Sequence, residues 1–110
     1  MRKFLLTGAM ALSLSISGAG AASLSMNEAV LADGTDIETC KQLGVAAIAK
    51  AGLRPAGSST ASVFGEGPGG LIAAVYCLPD RGIAMVGVAG DSSKATRPVL
   101  AALLGALNAQ

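Results

Sequence analysis

Gly70-Leu-Ile-Ala-Ala-Val-Tyr-Cys-Leu-Pro-Asp-Arg-Gly-Ile-Ala-Met-Val-Gly-Val-Ala-Gly90 decides the fold class. Two apolar runs of strand length, Gly70 to Leu78 and Gly82 to Gly90, share Leu78-Pro79-Asp80-Arg81-Gly82 as their junction. Pro79 presets a turn there and Gly82 can take left-handed backbone, so the runs read as an antiparallel hairpin. Upstream, Ser59 to Gly65 is a third strand-length segment, joined to the second through Glu66-Gly67-Pro68-Gly69. Glycines free to adopt positive φ make this a second hairpin connection, and the expectation is a three-stranded antiparallel meander.

Helical signals flank the meander. Thr35-Asp36-Ile37-Glu38 has the spacing of a capping box, and its two acids suit the positive end of a helix dipole. Ile37, Cys40, Gly44, Ala47, Ile48 and Ala51 then recur at intervals of three and four, giving a thin apolar stripe that ends at Gly52. Beyond the strands, Val99, Leu100, Leu103, Leu104 and Leu107 form a second helical repeat. Proline is tolerated in a first helical turn, which favours Thr96 as the cap with Arg97 and Pro98 just inside. Residues 22–34 keep no period of two or 3.6 and read as a loose lead-in, and residues 54–58 read as a connection. The expected architecture is α+β in the order helix, three strands, helix (α-β-β-β-α). Residues 35–110 form one small domain with both helices on one sheet face.

The chain begins with Arg2 and Lys3, then the mostly apolar run Phe4 to Ile16, then Ser17-Gly18-Ala19-Gly20-Ala21-Ala22. This is the order of a cleavable export signal covering residues 1–21, and the run is shorter than the about 20 apolar residues that span a bilayer. No cysteine follows it to take a lipid, so the expected product is a periplasmic or secreted domain with no stable membrane anchor. Losing Arg2 and Lys3 leaves six basic against seven acidic residues. A nearly neutral domain lacks the clustered basic surface that nucleic-acid binding needs.

Cys40 and Cys77 are the only cysteines, and there is no histidine. In an oxidising compartment a single structural disulfide is the economical reading. A redox motif would bring its cysteines two residues apart, and structural zinc takes four Cys or His ligands. If Cys77 meets Cys40, the first helix covers the face of the middle strand that carries Leu71, Ala73, Val75 and Cys77. Ile72, Ala74 and Tyr76 then lie on the other face, which is apolar where a solvated antiparallel sheet should be polar. That face is a candidate association surface, most simply for a homodimer.

Several chemistries lack their residues. Without histidine there is no Ser-His-Asp or Cys-His arrangement and no His metal ligand, and no cofactor motif is present. Asp91-Ser92-Ser93-Lys94 gives a weak alternative site for a small-ligand carrier or an enzyme of Ser-Lys type, although its spacing fits turn and cap chemistry better. The glycines of residues 65–70 resemble a phosphate-cradling loop only superficially, because Glu66 stands where a cation is wanted and no helix-opening Lys-Ser/Thr follows. Glu66, Asp80 and Arg81 are candidate loop contacts, as in an inhibitor of a secreted enzyme. Glu38, Glu66, Asp80 and Asp91 form no carboxylate pair, and beyond the export signal Phe64 and Tyr76 are the only aromatics. The expectation is a small exported, non-enzymatic domain that binds itself or an exported protein partner.

Overall fold

The structure is a computed structural model and describes residues 22–108; the export signal expected at residues 1–21 lies outside them. In chain order the elements are β1 (Ser23–Val30), α1 (Ile37–Lys50), β2 (Arg54–Ser58), β3 (Ser62–Glu66), β4 (Ile72–Leu78), β5 (Ile83–Gly90) and α2 (Ser93–Asn108). The strands form one antiparallel sheet of five in the order β1-β5-β4-β3-β2.

The three-stranded α-β-β-β-α meander is therefore corrected to a five-stranded α+β sheet. The supposed lead-in supplies β1, which pairs along its whole length with β5 from Ser23 opposite Gly90 to Val30 opposite Ile83. The supposed connection after α1 supplies β2, an exposed edge strand. Proline and glycine are tolerated there because an edge strand needs hydrogen bonds on one side only, and a bulge falls between Pro55 and Gly57. Two helix starts also differ from the expectation. Asp36 caps α1, its carboxylate accepting from the Thr39 N–H at 2.8 Å, while the Thr35 hydroxyl donates to the Ala32 carbonyl. At α2 the Ser92 hydroxyl accepts from the Ala95 N–H and Pro98 falls inside the helix. Proline there removes the bond to the Lys94 carbonyl, but Lys94 is exposed and water can serve that group.

Both helices pack on one face of the sheet, α1 over β3 and β4, α2 over β1 and β5, and they touch each other. Ala73, Val75, Ala84, Val86 and Val88 from the sheet meet Ile48 of α1 and Leu103 and Leu107 of α2, all buried. Small residues bring α1 close: a Cβ added at Gly44 would lie 2.7 Å from Val63 Cγ2 and 3.3 Å from Val75 Cβ. The disulfide joins Cys40 in the first turn of α1 to Cys77 near the end of β4, with Cα atoms 6.1 Å apart. A second tie is the buried Thr96, whose hydroxyl pairs with that of Ser25 at 2.8 Å and fixes the start of α2 to β1.

Candidate functional site

Strand alternation sends one set of side chains into the helical layer and the other to the opposite face. The register aligns this second set in rows across the sheet. One row runs Leu24, Ala89, Ile72, Glu66, Arg54. The next runs Met26, Gly87, Ala74, Phe64, and a third runs Glu28, Met85, Tyr76, Ser62. No helix covers these rows, and Leu24, Met26, Ile72 and Tyr76 are 64, 55, 50 and 48 % exposed. Ile72, Ala74 and Tyr76 thus share a face that extends onto β1, β5 and β3.

The relief of the open face follows from side-chain size. Gly87, Ala74 and Ala89 form a shallow floor at its centre, and Leu24, Met26, Ile72, Tyr76 and Met85 rise around it, enclosing a trough of about 290 Å³. Its lining is apolar apart from the Tyr76 hydroxyl. Charge enters only at the margins, through Glu28 on β1 and the ion pair of Arg54 with Glu66 at the far corner.

The sheet edges beside this face are blunted. Alternation turns the N–H groups of Glu28 and Val30 away from β5, and each is met by an asparagine: Asn27 Oδ1 accepts from Glu28 at 2.8 Å and Asn108 Oδ1 from Val30 at 3.2 Å. At the other edge Pro55 has no N–H to offer and the bulge bends the strand. Such devices keep exposed strands from templating further strands.

The remaining candidates stand apart. Glu66 is engaged by Arg54 across β2 and β3. Asp80 and Arg81 are exposed in the Pro79–Arg81 turn, at the opposite end of β4 from Glu66, so the loop candidates do not converge. Asp91, Ser92, Ser93 and Lys94 are all exposed, and Ser92 is occupied in capping α2. A broad recess of about 600 Å³ lies between residues 31–37 and the Pro79–Gly82 turn, with Asp33, Asp36 and Asp80 on its walls. Among the described residues no three metal-ligating side chains gather in a metal-binding group. The Asp36 carboxyl is held below its usual range by the backbone N–H of Thr39, then by the Thr39 side chain, which assigns it to the helix cap.

Residues 24 and 26 of the open face went unread in the sequence, although Leu24 and Met26 alternate with Ser23 and Ser25 as a strand would. Compared with models of known protein families, with curated proteins and with solved structures, the chain shows no match. No helix among the described residues is long and apolar enough to cross a membrane, and the disulfide is compatible with an oxidising, exported environment.

Proposed function

We propose that this protein is a small exported domain that works by association through its open sheet face rather than by catalysis. One observation carries the reading: the face opposite the helices is apolar at its centre, and Leu24, Met26, Ile72 and Tyr76 stand about half exposed or more on it. An antiparallel sheet with one solvated face ordinarily alternates polar residues outward, and the largest exposed apolar patch of a small protein is often its functional surface. The charged N-terminus, the apolar run of residues 4–16 and the small residues after it support export, and the Cys40–Cys77 bridge suits that destination.

The test is binding of an apolar-surface dye to the purified protein at low micromolar concentration, alongside Ile72→Ser and Leu24→Ser variants. Bright dye binding by the wild type, reduced in both variants with unchanged far-UV circular dichroism, is the expected result. A wild type that leaves the dye dark would overturn the reading.

A further inference from the structure

We infer that the occupant of the open face is a second copy of this chain, packed sheet against sheet about a two-fold axis. This rests on the open-face reading above and adds the identity of the partner. Growth through the sheet edges is hindered at both sides: Asn27 and Asn108 cover the Glu28 and Val30 N–H groups on β1, and Pro55 with its bulge interrupts β2. Association between copies is thereby directed to the face, and a face used isologously gives a closed pair.

Area is sufficient for a weak pair. The three rows hold thirteen positions at about 4.8 by 7 Å each, a face of roughly 440 Å² of which about 300 Å² is apolar. Two such faces bury about 900 Å² in total, just below the about 1,000 Å² of stable specific interfaces and in the range of weak, transient ones. Stacked sheets pack about 10 Å apart with interdigitating side chains. The relief suits that arrangement, because the Gly87–Ala74 floor of one copy can receive a bulky side chain such as Phe64 or Met26 of the other, and symmetry repeats the contact. Electrostatics oppose it little. The face carries only Glu28 and the self-neutralising Arg54–Glu66 pair.

Gly87 separates association from folding. A Cβ built there meets nothing closer than Met26 Cγ at 3.5 Å, ordinary contact, and its φ lies outside the positive range, so a side chain can start there and reach into the trough. Gly105 on the exposed side of α2, with nothing within 4 Å, is the control position. The full chain is expressed with its own N-terminal segment. The purified product is weighed by mass spectrometry, then followed by size-exclusion chromatography with light scattering and by sedimentation.

The wild type is expected to pass from monomer to twice the monomer mass with a Kd on the order of 10 μM. Gly87→Val weakens this at least about tenfold while keeping the thermal midpoint of the dilute protein, and Gly105→Ala leaves it unchanged. Ile72→Ser, at a half-exposed site, gives the same loss should Gly87→Val fail to fold. Mass growth beyond two copies, or a dimer indifferent to both face variants, overturns the inference. So does a strict monomer at several hundred micromolar. In that last case dye binding that Gly87→Val abolishes leaves the face as a binding surface for another partner, whereas a dark dye removes both readings.

Discussion

Reducing the Cys40–Cys77 bridge should cost a large share of the stability. Both cysteines are buried and join α1 to the middle of the sheet across 37 positions of chain. Closing a loop of that length removes unfolded-chain entropy equivalent to about 4 kcal/mol. A domain of this size has a total of roughly 4–13 kcal/mol to lose. Reduction leaves both sulfurs in the core, so it isolates the cross-link. Cys40→Ala with Cys77→Ala also empties two buried sites, at about 1 kcal/mol each, and brings the cost to about 6 kcal/mol. Urea denaturation of the oxidised protein, the reduced protein and the double variant, followed by far-UV circular dichroism, measures all three. The expected order of midpoints is oxidised, reduced, double variant, with a larger m for the two uncrosslinked forms because their unfolded chains are more open. A reduced protein within about 1 kcal/mol of the oxidised one would refute the view that the bridge is a principal constraint on this fold.

Gly44→Val should destabilise by about 2 kcal/mol or more in the same assay, since the added atoms enter the 2.7 Å gap to Val63 while the gain in helix propensity over glycine is below about 1 kcal/mol. Asp36 has a folded pKa below its ordinary 3.8, so its cap stabilises the protein above that pH and the contribution fades as pH falls through the lowered value. Asp36→Asn keeps a capping oxygen and removes that titration, and the difference in thermal midpoint between variant and wild type should shrink or reverse below about pH 4. Asn27→Ala together with Asn108→Ala uncovers two N–H groups on the β1 edge, and light scattering should then detect species larger than any the wild type forms.

The α+β class was legible because the runs Gly70 to Leu78 and Gly82 to Gly90 are long, apolar and separated by strong turn residues. The bridge was legible because two cysteines permit one intrachain pairing. What escaped was non-local. In β1 and just after it the core contacts Ala29 and Leu31 occupy odd positions and the apolar Leu24 and Met26 occupy even ones, so neither face shows a continuous stripe; the partner strand β5 lies some sixty residues away. In β2, Pro55 and Gly57 carry the composition of a loop, and only the edge position makes them acceptable in a strand. At α2, Pro98 argued for a later start than the one fixed by Ser92 and by the Thr96–Ser25 hydrogen bond. The apolar character of Ile72, Ala74 and Tyr76 was visible in the alternation, but the trough depends on register, which places Gly87 beside Ala74 and Met26.

The central claim, that the open face is an association surface taken up by a second copy, is tested most directly by methyl NMR over a concentration series. Met26, Met85 and Ile72 report from the open face, and Ile48, Leu103 and Leu107 from the core beneath the helices. Expected are concentration-dependent shifts that saturate together for the first three methyl sets and stationary signals for the core. Shifts confined to residues of α1 or α2, or none at any concentration up to several hundred micromolar, would contradict the claim.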